Sequence, residues 1–441
     1  MRRRSRLPTV LTTAFLTVAF ALTGAGTAGA QRVKDFALPS PGKPRAITAG
    51  PDGALWFTSD FEGNRVGRIT TSGGVTEFNL PNPDSQPDTI AAGPDGNLWF
   101  TERNGNRIGR ITPAGALTEF PLPVAGSKPR GIVRGPDGAM WFTEFGTSRI
   151  GRITTAGAIS EFTAGITPGA APLNIARGSD GNLWFTEPAV DRVGRITPGG
   201  VVTEFTAASN QAGPEGIAAG PDGNLWFTEE DGDRIGRITT GGRSREFVAG
   251  VSPGANPFGI APGPDGNMWF TEFDRGAVAR ISPAGRVQQL RLPGAVQPMG
   301  LVTGPDRRLW IAQFGRNTIT RFDPPPPPRV KVGTPFLFAF DGPVTRFTLL
   351  KVTGAPREGS IRATCRGSGC GFRSLTFRRK KSVNLTKRVR GPLRSGARIE
   401  LRVLAPGLSG FVRRLTTRTG RGPKVQTLCL PPGAKSPRKR C

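Results

Sequence analysis

The sequence predicts an all-β protein: a seven-bladed β-propeller followed by a small, basic, β-sandwich-like C-terminal domain. One phrase, fullest as GPDGNLWFTE at Gly93–Glu102, recurs seven times. Each of the seven tryptophans (Trp56, Trp99, Trp141, Trp184, Trp226, Trp269 and Trp310) sits in one copy, 41 to 43 residues from the next. A period of about 40 to 45 residues with one aromatic-rich motif marks a four-stranded blade, which buries too little surface alone and must stack in a ring. A second observation is that the last repeat lacks an outer strand, while VKDFALP at Val33–Pro39 matches the outer strand VTEFNLP at Val75–Pro81. Pairing of Val33–Leu38 beside Thr318–Phe322 would close the ring and remove two exposed edges. The third is charge. Residues 31–328 hold 29 Lys+Arg and 29 Asp+Glu, whereas residues 329–441 hold 27 Lys+Arg and 3 Asp+Glu.

The second repeat shows how one blade is written. Thr89–Gly93 is short and apolar and reads as the innermost strand. Pro94-Asp95-Gly96 is a turn, with Pro presetting φ, Asp capping its own backbone and Gly taking positive φ. Leu98–Glu102 alternates with period two and reads as the returning strand. Asn104-Gly105-Asn106 turns the chain into Arg107–Thr112, and Pro113-Ala114-Gly115 turns it into the outer strand Leu117–Leu122. Two hairpins per period suit an antiparallel blade. The tryptophan, at one fixed place in every period, is predicted to lie between blades.

Along the chain, residues 1–30 read as a secretion signal. Arg2, Arg3, Arg4 and Arg6 precede the apolar run Leu7–Leu22, and Ala28-Gly29-Ala30 is a small-residue cleavage site. An uncleaved anchor is the alternative, but the run is short for a span. No other segment is apolar enough to cross a bilayer, so the mature chain is expected to be secreted or associated with the cell envelope, and monomeric. Residues 31–323 form the propeller, and the five prolines 324–328 a stiff spacer of roughly 15 Å. Residues 329–441 form the basic domain. Its alternating runs Thr345–Val352, Ser360–Thr364, Arg398–Leu404 and Phe411–Thr417 predict a small sandwich, with an irregular tail from Gly420. Its cysteines are expected to pair as Cys365–Cys370 and Cys429–Cys441, since an exported chain meets an oxidising compartment. Two other connectivities are open, and a four-cysteine zinc site fits the spacings poorly.

The chain has neither histidine nor tyrosine. That excludes a Ser-His-Asp triad, a Cys-His pair, histidine metal ligands and a histidine base. Hairpin geometry predicts one face gathering two sets of side chains. The first set follows the proline of each innermost strand: Arg45, Asp88, Arg130, Leu173, Glu215, Phe258 and Met299. The second ends each tryptophan strand: Ser59, Glu102, Glu144, Glu187, Glu229, Glu272 and Gln313. Four of the glutamates face an arginine in simple register (Arg107, Arg149, Arg192, Arg234), and such cross-strand pairs need no function. Glu272 faces Ala277 instead, with Arg275 nearby, which makes it the candidate catalytic carboxylate. Phe258, Phe273, Gln297, Met299, Gln313 and Phe314 join it as ligand-binding candidates at the mouth of blades six and seven, where an apolar patch suits a small-molecule pocket. One aspartate per PDG turn supplies too few oxygens for calcium.

The phrases GPDGNLWFTE, NRIGRIT and TEFPLP resemble those of the streptogramin lyases, the virginiamycin B lyase family, over about residues 33–322. That resemblance implies a propeller that opens cyclic depsipeptide antibiotics by eliminating a C–O bond with magnesium. It also implies histidines after the prolines of the last two repeats, where this chain has Phe258 and Met299. It implies glutamates where this chain has Gln297 and Phe314. Phenylalanine and methionine cannot abstract a proton, and a general base contributes typically 10²–10⁴-fold.

The leading expectation is therefore a non-catalytic exported binding protein. Its propeller would take a small or peptidic ligand, and residues 329–441 would hold an anionic cell-envelope polymer, ahead of nucleic acid. A magnesium-dependent C–O lyase using Glu272 and a protein-interaction scaffold are the alternatives.

Overall fold

The structure, a computed structural model, describes residues 32–60, 62–326, 331–341, 344–389, 391–419, 421–432, 434 and 436–439. The expected secretion signal, residues 1–30, lies outside them.

Residues 32–323 build seven four-stranded antiparallel sheets. In blade two the strands are Pro87–Ala92, Leu98–Glu102, Arg107–Ile111 and Leu117–Pro121, from axis to rim. The last sheet takes its outer strand from the other end of the chain: Arg32–Ala37 runs antiparallel to Thr318–Asp323, with Val33 opposite Phe322. The ring therefore closes as the sequence predicts.

Every tryptophan is fully buried. Trp99 packs against Ile132, Met140 and Phe142 of blade three, so it is an inter-blade residue. Its indole N–H donates to the turn aspartate Asp95 at 3.1 Å, and the same bond recurs in all seven blades, from Trp56 to Asp52 through Trp310 to Asp306. A buried N–H left without an acceptor would cost about 1–3 kcal/mol, so the aspartate of PDG is fixed by the tryptophan four residues further on, in the strand that follows the turn. The outer-strand phenylalanine stacks on the indole: Phe120 on Trp99 at 5.5 Å and Phe36 on Trp310 at 5.4 Å between ring centroids. The arginine of the GRIT phrase lies over the same ring in several blades, as Arg110 does at 5.5 Å from Trp99. Gly109 leaves room for the Phe100 ring, which a Cβ there would meet at 2.1 Å.

The C-terminal residues form a five-stranded antiparallel sheet in the order Ser374–Arg378, Ser360–Arg366, Arg398–Leu404, Gly410–Arg418, Arg421–Leu430. A smaller sheet built on Phe336–Asp341 and Val344–Val352 covers it, with Leu350, Val352, Ile361, Leu401 and Leu415 in the shared core. The tail expectation is corrected. Arg421–Leu430 is a ten-residue strand, not irregular. Its apolar alternation is weak because it lies at the sheet edge and carries Pro423, which an edge strand tolerates. Cys365 and Cys370 form a disulfide. Cys429 is disulfide-bonded too, and its expected partner Cys441 lies outside the described residues.

The proline run does not stand free at its start. Arg280 of blade six donates to the carbonyls of Pro325 and Pro326. Asp265, Asn267, Arg280 and Ser282 are buried in blade six, while their counterparts in blade two are partly or fully exposed. Gly407 and Pro432 of the basic domain approach this turn region, and Arg286 pairs with Glu358. The basic domain thus sits against the PDG-turn end of blade six.

If Phe36 seals the ring, Phe36→Ala should cost about 3–5 kcal/mol in urea unfolding, the usual range for a buried phenylalanine. A loss below about 1 kcal/mol would show that closure does not depend on that ring.

Candidate functional site

The side chains nearest the axis are positioned by a threonine clip. The threonine of each WFT phrase donates its hydroxyl to the carbonyl of the residue after the proline in the following blade. The pairs are Thr58 to Asp88 (2.6 Å), Thr101 to Arg130 (2.6 Å), Thr143 to Leu173 (2.7 Å), Thr186 to Glu215 (2.8 Å), Thr228 to Phe258 (2.7 Å) and Thr271 to Met299 (2.9 Å). Blade seven has Ala312 at this place, so Arg45 is the one member whose carbonyl faces no threonine clip among the described residues.

The clipped residues Asp88, Arg130, Leu173, Glu215 and Phe258, with the unclipped Arg45, line a central cavity of about 170 Å³. Arg45 Nε lies 2.7 Å from Asp88 Oδ1, and Arg130 Nη1 lies 3.1 Å from Asp88 Oδ2. Burial pushes the Asp88 carboxyl up, but the two guanidinium groups outweigh it and hold it below the usual range. Glu215 goes the other way. Burial, then the nearby Glu230 charge, raise it to about 8 against the pull of Arg130 and Arg45. The sequence placed these four residues on the ring of after-proline positions. It did not show that they form one charged network, because they come from four blades and meet only across the axis.

The aromatic mouth is assembled as expected in part. Phe273 lies 6.3 Å from both Phe258 and Phe314 between ring centroids. Arg45 stands 5.7 Å from the Phe258 centroid, and Lys43 5.4 Å from that of Phe314. Met299 is buried, and Gln297 sits in the adjoining loop with its carbonyl accepting the Phe314 N–H.

Glu272 and Gln313 are not brought to this cluster, and here the expectation of a single face fails. In most blades a bulge between the starting proline and the third residue after it turns the intervening residue toward the axis, while the proline itself stays opposite the glutamate. An extra residue of this kind re-aims side chains locally. The glutamates therefore stay within the blade. Gln313 donates to Thr320, and Glu272 accepts from Gln289 at 3.0 Å. Burial raises the Glu272 carboxyl, and the Gln289 bond partly opposes that. Glu272 lines a separate open groove of about 1000 Å³ with Ser252, Arg275, Ala277, Gln289 and Arg291.

The cross-strand pairing is also corrected. Glu102, Glu144, Glu187 and Glu229 do stand opposite Arg107, Arg149, Arg192 and Arg234. Each arginine reaches to the outer-strand glutamate: Arg149 to Glu161 at 2.7 Å, Arg234 to Glu246 at 3.1 Å, Arg107 to Glu119 at 3.9 Å, and Arg192 to Glu204; among the described residues only Arg234 also keeps its expected partner, with Nε 4.0 Å from Glu229 Oε2. The outer acid is nearer the surface, where the guanidinium keeps part of its hydration. For the inner glutamates, fully buried, desolvation is the largest influence, although Thr147 donates to Glu144 at 3.1 Å. Glu102 and Glu144 rise to about 7, and Glu187 and Glu229, each with a neighbouring carboxylate as the next cause, to about 8.

Magnesium, which the resemblance implies, does not fit the mouth. Its side chains are aromatic rings, a thioether and cationic groups, with the Gln297 amide as the one oxygen donor, whereas magnesium takes several oxygen ligands in octahedral geometry. Among the described residues no group of three or more His, Cys, Asp or Glu is placed to hold a metal ion.

The sequence model of the virginiamycin B lyase family matches residues 23–166 and again 165–326. The virginiamycin B lyases of Bordetella parapertussis and Bordetella bronchiseptica are 46% identical over 50 residues, 10% of this chain and 16% of the length of those relatives. Among solved structures, a streptogramin B lyase is 36% identical, with a TM-score of 0.63, covering 66% of this chain and 97% of that one. A catalytically inactive histidine-to-alanine variant of virginiamycin B lyase from Staphylococcus aureus, solved with quinupristin, is likewise 36% identical at a TM-score of 0.63, covering 67% of this chain and 99% of that one.

The raised carboxyls have a sign that can be tested. Glu187, at about 8 when folded against an ordinary 4.5, holds a proton that the unfolded chain releases. Its contribution to stability is full below about 4.5 and is lost as pH rises through about 8. Glu187→Gln, which cannot ionise, should raise the unfolding midpoint at pH 8.5 and leave it nearly unchanged at pH 5. An equal shift at both values would rule out a protonated Glu187.

Proposed function

The chain belongs to the virginiamycin B lyase family, and from that membership we propose that it is an exported, non-catalytic binding member. The propeller takes a small or peptidic ligand at the mouth of blades six and seven. The cationic C-terminal domain holds the protein on an anionic polymer of the cell envelope.

One observation carries the reading. The chain has no histidine, and Phe258 and Met299 occupy the positions where the resemblance places the family's histidines. In a relative of the same fold, exchanging one histidine for alanine accompanies a description as catalytically inactive. A second observation supports it. Phe258, Phe273 and Phe314, edged by Lys43 and Arg45, make a surface suited to holding an apolar ring next to a carbonyl or an anion. None of the three aromatic rings can take a proton from substrate. The two partners need not compete. The mouth lies where the innermost strands begin, and the basic domain is docked at their opposite, PDG-turn end.

Quinupristin incubated with the purified chain and magnesium should remain cyclic by mass spectrometry, at the level of the protein-free control. Linear product that disappears in Glu272→Ala would overturn the proposal and make the chain a lyase with a different base.

A further inference from the structure

The outer face of the five-stranded C-terminal sheet carries a groove of about 560 Å³ whose lining includes Arg362, Thr364, Arg366, Phe372, Arg373 and Ser374, beside the Cys365–Cys370 disulfide. No carboxylate lines it, unlike the blade-six groove and the central cavity. Among the described residues, Arg362, Arg366 and Arg373 take part in no ion pair, and Arg362 Nε reaches only the Ser374 hydroxyl, at 3.3 Å.

The strand register makes this arrangement costly for the isolated fold. Arg366 stands directly opposite Arg398, and Arg362 directly opposite Arg402. Like charges in direct cross-strand register are destabilising, and neighbouring strands lie only about 4.8 Å apart. Glu400 relieves part of this by binding Arg402 and Arg414 at 2.7 and 2.6 Å, but nothing comparable relieves the Arg366–Arg398 pair. The chain also commits Glu358 to Arg286 of the propeller. The Cys365–Cys370 disulfide ties the turn that carries Arg366 to the segment that leads to Arg373, and so restrains the backbone at this end of the groove. The contacts with the propeller run through Glu358, Gly407 and Pro432, which lie outside the groove.

We propose that this groove is a phosphate seat, and that with Arg398 and Arg402 it forms the track by which the domain binds a phosphodiester polymer of the poly(glycerol phosphate) kind. Planar guanidinium groups take phosphate oxygens two at a time, and the Thr364 and Ser374 hydroxyls complete the set. A nucleic acid offers the same phosphates, but single strands are held largely by stacking on aromatic side chains, and Phe372 is the one aromatic lining this groove. The inference rests on the anchoring role proposed above and assigns it to particular side chains.

The test uses the full chain, with poly(glycerol phosphate) of defined length and single-stranded DNA of equal charge as probes. The triple variant Arg362→Gln, Arg366→Gln, Arg373→Gln should weaken binding of poly(glycerol phosphate) at least tenfold. Removing the same charge at exposed sites elsewhere, with Lys380→Gln, Lys381→Gln, Lys387→Gln, should weaken it less than threefold. Cys365→Ser with Cys370→Ser should weaken it as the arginine variant does. Equal losses in the two triple variants would overturn the groove while leaving an anchor of diffuse charge. No binding by the unaltered chain would overturn both readings. Tighter binding of the DNA would overturn the choice of polymer.

Discussion

The ring rests on one buried interaction repeated seven times: an indole whose N–H must find an acceptor where water cannot reach it. The PDG aspartate supplies that acceptor, and this single bond fixes the turn between the two inner strands. The outer-strand phenylalanine then stacks on the ring, and the GRIT arginine lies over it while pairing with the same aspartate in several blades, as Arg68 does with Asp52 at 2.6 Å. Four strands are thereby tied to one side chain. The same residue packs into the next blade, so the constraint that orders a blade also joins it to its neighbour. The cost of burying a polar N–H becomes the specification of the repeat.

Blade six departs from this scheme in several places at once. Its outer strand offers Leu290 where other blades have phenylalanine, so Trp269 meets Phe322 of blade seven edge-on, at an interplanar angle of 66°, instead of a stacked ring. Ala279 replaces the glycine under its strand, Ala277 replaces the arginine and Gln289 replaces the outer glutamate. Losing an arginine and a glutamate together keeps the local charge unchanged, while the lost volume opens the groove beside Glu272. The same blade receives the basic domain. Asp265 and Arg280, which pair at 2.8 Å, are buried there under the domain and the start of the proline run. The blade that lacks the stacked phenylalanine is thus the one that carries the second domain.

The fold was legible because its signals are local and periodic. Trp, PDG and the alternating strands repeat within one window, and Phe36 could be assigned to blade seven from seven residues of VKDFALP. The mouth was half legible. Phe258 and Met299 were found because a proline marks their place. Glu272 was assigned to the same face because a simple hairpin carries no trace of the bulge after Pro257, which separates the two sets of side chains. The Arg45–Asp88–Arg130 network was hidden for a different reason: three blades contribute one residue each, and sequence spacing says nothing about which charges meet at an axis. The strand Arg421–Leu430 was missed because an edge strand facing solvent on one side needs little apolar pattern.

The distribution of charge gives the two halves separate tasks. Within the propeller, acids and bases are equal in number and largely consumed in pairs, and burial raises the carboxyls of the inner glutamates. The C-terminal sheet does the opposite. It places arginines in direct register and provides three acids in all, of which Glu358 and Glu400 are already engaged. A sheet selected for stability alone would spread such charges or intersperse them with acids, since repulsion across adjacent strands opposes the hydrophobic core that holds the two sheets together. The disulfide next to the groove offsets part of that cost by restricting the unfolded chain, and it does so where the cationic side chains converge. Repulsion held in place by a covalent link would become favourable once an anion arrived, so the anion proposed above would complete the physical logic of this domain, whereas that of the propeller is completed by its own closure.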